Sequence, residues 1–305
     1  MSGILIQPSP RDAIKLPNKN CVYCGEMLTE ESATEEHVIG RRFVPKGTLF
    51  GQWNIILRAC SDCNNAKSQL EDDISAITMQ PDAHGQFPSE DERFRSEAQR
   101  KTPSISQFTG KPVGQSAEKM HLSGHFGPGA TLGVQMSAPP QVSEERLYQL
   151  ARFHVQGFFF FITFDKESER GGFLTGIFKP VMAARRTDWG NAKMRAFACS
   201  KLSWSVRFEG IAAEEYFKVS IRRHPAGAGV WAWALEWNQN FRIIGFFGSQ
   251  SEVDREVAAL PTLQMKEIGK QGNIVYRTRL EVALPPEEDR LFGVKTGPAT
   301  TASTT

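Results

Sequence analysis

The chain is poor in most features that mark specialised proteins. It has no long hydrophobic run: the longest apolar stretch, Gly157–Thr163 (GFFFFIT), is far too short to cross a bilayer. Its first residues, MSGILIQPSPRDAIK, lack a basic segment followed by a long apolar one. No secretion signal is therefore read, and the expected compartment is the cytoplasm, where thiols stay reduced. Charge of one sign is scarce as well. The 36 Lys and Arg against 34 Asp and Glu leave a net charge of +2, too small for composition alone to announce a nucleic-acid partner. Residues 1–80 carry eight basic against ten acidic side chains, so a nucleic-acid reading there must rest on a site and not on bulk charge. No internal repeat of solenoid length is present. What remains is the composition of a soluble globular protein, 40% hydrophobic and 23% charged, with 305 residues to form two ordinary domains or one large one.

Cysteine is also scarce, and its placement is informative. Four of the five cysteines form two C-x2-C pairs, Cys21/Cys24 and Cys60/Cys63. In a reducing compartment this pattern predicts a metal site and not disulfides. Each pair can form a tight knuckle that points two thiolates at one tetrahedral Zn2+, with Gly25 easing the first turn. A closed four-cysteine site has no open position, so its expected role is structural. Cys199 stands alone and reads as a small buried hydrophobe.

The expected class is α+β. Residues 1–80 hold both knuckles, a short strand in WNIILRAC and a helix over Asp72–Met79 stopped by Pro81. Residues 81–142 lose apolar periodicity and are rich in Gly, Pro, Ser and Gln, which predicts an irregular connector. Order resumes over 143–295. Ser143 with Glu144 and Glu145 marks a helix start, and Leu147, Leu150, Ala151 and His154 share a face, His154 as a packed histidine. The phenylalanine run suits a buried helix end or a change into a strand. A second helix is predicted over PVMAARRTDWGNAKMRAFAC, and a short capped one in SEVDREVAAL. SWSVRFEG, YFKVSIRR, VWAWALEW, FRIIGFFG and NIVYRTRLEVAL read as about five strands of a mostly antiparallel sheet, their aromatics serving as core. His121 and His125 lie in a glycine-rich stretch unsuited to a helical metal site. Residues 296–305 have nothing to bury and are expected to be disordered.

Between the knuckles the chain reads EEHVIG and then WNIILRACSDCNNAKS. With the paired C-x2-C knuckles, these segments resemble the HNH family of metal-dependent nucleases, which have the ββα-metal (His-Me finger) fold. The resemblance spans roughly residues 18–80 and takes the form His37, Asn54, Asn64, the HNN variant. It departs from the family at Gly40, often proline there, which would leave the loop freer.

The resemblance implies an endonuclease that hydrolyses phosphodiester bonds, in DNA by preference and as double-stranded DNA. His37 would be the general base, suited to it by a pKa near neutrality. One catalytic Mg2+ or Mn2+ would be held by Glu36 and Asn64, with Glu35 the runner-up ligand, and Asn54 would orient the loop and the ring of His37. Lys67, one turn beyond Asn64, is the first expected phosphate contact, followed by Arg41, Arg42 and Lys46. Nucleases of this family often serve mobile elements or bacterial defence. The role of the C-terminal domain is not legible; its separation suits regulation by a ligand or partner, or self-association as a homodimer. The competing reading, from another class, is a zinc-stabilised module that binds nucleic acid or protein without cutting.

Overall fold

The computed structural model describes residues 13–82, 85–125, 131–138, 140, 142–227, 229–271 and 274–292. Near the N-terminus three short strands, β1 (Ile14–Lys15), β2 (Ala33–His37) and β3 (Ile55–Cys60), form a sheet in the order β1-β3-β2. β1 runs parallel to β3, and β2 antiparallel to it. Strand β3 passes directly into helix α1 (Ser61–Thr78), with Cys60 in extended conformation serving as N-cap. The helix expected over 72–79 is thus the second half of a longer one. Its polar first half shows little apolar periodicity and is placed by the knuckle and by the inward side chains Lys67 and Leu70.

The segment 81–142 is not the irregular connector that its composition predicts. It contains α2 (Glu92–Lys101), capped by Asp91, whose side chain accepts from Arg93 N. A hairpin of β4 (Glu118–His125) and β5 (Thr131–Ala138) follows. Only Phe94 and Ala98 of α2 enter the hydrophobic core, too narrow an apolar face to register against the surrounding charge. His121 and His125 lie on β4; their side chains, like the tail 296–305, fall outside the described residues.

Helix α3 (Glu144–Ile162) is capped by Ser143 as expected and stays helical through the phenylalanine run. It packs against α1 and β3 on one side and against the large sheet on the other. That sheet consists of β6 (Ile177–Arg185), β7 (Ser205–Ala212), β8 (Phe217–Arg223), β9 (Val230–Trp237) and β10 (Phe241–Gly248). Its order is β6-β10-β9-β8-β7 with every pairing antiparallel. Helix α4 (Ala192–Lys201) lies between β6 and β7 in the chain, and α5 (Gln250–Ala258) follows β10.

Two assignments change here. The first half of the predicted helix over 180–199 is strand β6, because pairing with β10 overrides the helical preference of its alanines and methionine. Pro180 is tolerated there because β6 is an edge strand and the ladder is irregular at Ile244/Gly245. IVYRT, expected in the large sheet, instead forms β12 (Ile274–Thr278), paired with β11 (Lys266–Gln271).

The large sheet is buried on both faces. Along β9, Trp233, Leu235 and Trp237 point into one core, and Val230, Ala232 and Ala234 into the other. This period-two division of large and small side chains is what a strand buried on both sides needs. Cys199, at the end of α4, is exposed and not buried as its type suggests. Among the described residues no helix is long and apolar enough to cross a membrane.

The larger core does not break at residue 80. Phe43, from the loop after β2, sits 5.3 Å from the Trp237 ring and 6.4 Å from that of Phe217. Trp53 packs 5.7 Å from Phe208, and its Nε1 donates to Ile211 O at 2.8 Å. Both knuckle elements and both sheets therefore share one apolar interior. A fragment ending at residue 80 is expected to lack a cooperative thermal transition even with Zn2+ present. Phe43→Ala in the full chain should cost about 3–5 kcal/mol by denaturant titration. A sharp melt of the isolated fragment would show that the knuckle region folds alone.

Candidate functional site

The four knuckle cysteines converge. Their Sγ atoms all lie within 4.8 Å of one another, and Cys24 Sγ is 3.7 Å from Cys60 Sγ. An ion bound tetrahedrally at about 2.3 Å from each sulfur separates neighbouring sulfurs by about 3.8 Å, so the cluster fits zinc. Gly25 has φ +82°, and its N–H donates to Cys21 O at 3.0 Å, closing the first knuckle as expected. The second knuckle is the β3–α1 junction itself. Among the described residues no other group of three or more His, Cys, Asp or Glu side chains comes close enough to share an ion.

Beneath this cluster lies a buried ionic network. Thr34 and Glu36 alternate toward α1 along β2. Glu36 Oε1 accepts from Tyr23 Oη at 2.8 Å and pairs with Lys67 Nζ at 2.8 Å. The same ammonium reaches Glu71 Oε1 at 2.6 Å and His37 O at 3.0 Å. Glu71 Oε1 also accepts from Gly40 N at 3.1 Å and lies 3.2 Å from His154 Nε2. Burial works against the Lys67 ammonium, but the two glutamates outweigh it and raise its pKa. Burial raises the pKa of Glu36 despite Lys67, and the neighbouring Glu71 adds to that rise. His154 is pushed down to about 4, chiefly by burial, and is neutral. Lys67 is therefore not a phosphate contact: it is 1% exposed and fully engaged inside the protein.

Gly40 is likewise not the loose point that its departure from the family pattern suggests. Proline has no N–H to give Glu71, and a Cβ at this position would lie 2.1 Å from Glu71 Oε2. The glycine is required by the network and held by it.

His37 ends β2 on the opposite face. In register with Ile56 and Lys15, it shares that face with Glu35, which pairs with Lys15 at 2.5 Å. Its Nε2 is 2.8 Å from Arg41 Nη2. A guanidinium can only donate, so Nε2 carries the lone pair and the neutral ring holds its proton on Nδ1. Burial, and then the charge of Arg41, hold His37 below the usual histidine range. The loop behind it is clamped by Asn54, whose Oδ1 accepts from Ile39 N at 3.2 Å and Ile55 N at 2.9 Å. Its Nδ2 donates to Ile39 O at 2.8 Å. These bonds tie Asn54 to the loop backbone at Ile39 and Ile55, and none of them reaches the His37 ring that Asn54 is also expected to orient.

The structure thus joins His37 with Arg41 and Asn54 with the loop, but it does not bring Glu36, His37 and Asn64 to one point. Asn64 donates from Nδ2 to Thr34 Oγ1 at 2.9 Å, nearer the start of β2. With Glu36 taken by an ammonium and a phenol, these side chains do not fit a divalent cation as they stand. Arg41 and Arg42 are exposed, Arg42 pairing loosely with Asp72 at 3.3 Å. Sequence reasoning missed Tyr23 and Glu71. The signal for Glu71 was its i,i+4 spacing from Lys67; nothing local marked Tyr23.

Compared with known proteins, the chain matches no family model, no curated protein and no solved structure.

One equivalent of zinc per chain is expected by elemental analysis. Cys60→Ser should lose that metal together with the thermal stability of the α1 region; metal-free wild type of unchanged stability would count against a structural ion. Lys67→Met leaves two buried carboxylates without their cation and should cost about 3–5 kcal/mol. Adding Glu71→Gln should recover part of that loss, whereas strictly additive effects would show that the pair is not coupled.

Proposed function

We propose that the protein is an HNH-type endonuclease that hydrolyses phosphodiester bonds in nucleic acid, with DNA as substrate. The observation that carries this reading is the His37–Arg41 pair: a half-buried neutral imidazole whose lone pair faces an exposed guanidinium, with the backbone clamped behind it by Asn54. A neutral histidine can take a proton from water at cellular pH, and an exposed arginine can neutralise a phosphate oxygen. Since Arg41 covers Nε2, a phosphate that draws the guanidinium to itself would free the base at the moment the substrate is seated.

The ββα order of β2, β3 and α1, with the knuckle at the β3–α1 junction, supports the resemblance to the HNH family. Mg2+ or Mn2+ belongs to this proposal through that resemblance alone. Binding it at Glu36 would require exchange for the Lys67 ammonium, and Asn64 would have to turn its amide from Thr34. That occupied Glu36 favours the second reading, a zinc-stabilised binding module that does not cut.

Cleavage of supercoiled plasmid with Mg2+ or Mn2+ separates the two. Wild type should yield nicked or linear product, and His37→Ala should lower the rate about 100-fold or more with zinc content and melting temperature unchanged. Intact plasmid with wild type, or equal cutting by the variant, would overturn the assignment.

A further inference from the structure

The loop joining β2 to β3, residues 38–54, carries a feature that folding does not explain. Phe50 is 93% exposed, and no ring contact involving it occurs among the described residues. Its surroundings are neither mobile filler nor apolar surface. Phe43, Val44, Pro45, Thr48 and Trp53 are buried, so the loop is anchored on both sides of its tip. Thr48 Oγ1 donates to Pro45 O at 2.8 Å, and Phe50 N to Gly47 O at 3.0 Å. Gly47 and Gly51 take φ values of +90° and +65°, the left-handed turns that lift the intervening segment outward. A hydrogen-bonded turn holds out one aromatic ring.

The electrostatics indicate what it meets. From Val38 to Cys60 the chain has no acidic residue, whereas Arg41, Arg42 and Lys46 are all exposed on this loop. An exposed ring on a loop that begins next to His37 and carries three exposed cations suits a polyanion with stacked aromatic faces. A protein partner would meet the same cations without offering a stack for the ring to enter.

We propose that Phe50 is a wedge that inserts between stacked bases of duplex DNA while Arg41, Arg42 and Lys46 hold the flanking phosphates. The proposal deepens the nucleic-acid reading given above and requires binding but not cleavage.

The test uses zinc-loaded full-length His37→Ala protein and a mixed-sequence 30-base-pair duplex containing 2-aminopurine. Binding is followed by anisotropy and unstacking by 2-aminopurine fluorescence. The added change Phe50→Ala should weaken binding about tenfold, leave the salt dependence unchanged and abolish the fluorescence rise, whereas Phe50→Trp should keep both. Replacing Arg41, Arg42 and Lys46 with alanine should instead flatten the salt dependence. Melting temperatures should not move with Phe50→Ala, since the ring packs on nothing.

Equal affinity and an equal fluorescence rise for Phe50→Ala would overturn the wedge, as would failure of the parent to bind the duplex. Loss of self-association by Phe50→Ala in sedimentation, without loss of DNA binding, would overturn it in favour of a second copy of the chain. Unstacking without plasmid cleavage by wild type would sink the nuclease reading and leave the wedge standing; cleavage without unstacking would do the reverse.

Discussion

The Lys67 ammonium is the point on which the rest of the architecture depends. One buried cation is shared by Glu36 on β2, Glu71 on α1 and the backbone oxygen of His37. Through Glu71 the same charge reaches Gly40 N in the loop after β2 and His154 on α3. Two carboxylates facing one ammonium leave an excess of negative charge in a desolvated place. Tyr23 Oη and Gly40 N offset it as donors, and neutral His154 adds no second cation. Such a network contributes little net stability compared with an apolar core of the same volume. Its effect is on register: β2, α1, α3 and the loop fit together in one way only.

Two anchors therefore position the candidate site from opposite ends. The cysteine cluster fixes the start of α1 against the first knuckle, and the Lys67 network fixes the next turns of the helix against β2. Between them the hairpin cannot slide, because a shift of one residue would exchange Glu36 for His37 at the helix face. The alternation that buries Glu36 is thus what leaves His37 outside beside Arg41. Asn54 completes the arrangement by tying both ends of the loop to the same backbone segment. His37 and Phe50 lie on one clamped stretch whose charged side chains from Val38 to Cys60 are all basic, which unites the proposed chemistry with the proposed means of holding DNA.

The C-terminal part is not an appendage in physical terms. The rings of Phe217 and Trp237 from the large sheet close over Phe43 and His154, so the loop beside His37 rests on a core supplied by residues more than 150 positions away. At Gly157 a Cβ would meet Val38 Cγ2 at 2.9 Å, so even the closeness of α3 to the site depends on one glycine in a distant helix. Any regulation through the C-terminal region would have to act through this interior.

Some of this was legible in the residues themselves. Cysteine spacing marked the four-cysteine cluster, whose geometry could hold zinc, because two C-x2-C knuckles have few other uses. Ser143 marked the start of α3 because capping is a local interaction, and the strands β7 to β10 were visible in their β-branched and aromatic content. The sequence also singled out His37 and Asn54, but their partners, Arg41 for one and the backbone of Ile39 and Ile55 for the other, are supplied by the fold. What it could not decide were outcomes of pairing at long range. Strand β6 exists because β10 offers an edge, and α2 is ordered because two of its side chains find the shared core. Lys67 carries the same local signature whether its ammonium meets a phosphate or a buried glutamate. Only the tertiary structure, by enclosing Glu36 and Glu71 around it, turned that lysine inward and left Arg41 and Phe50 facing out.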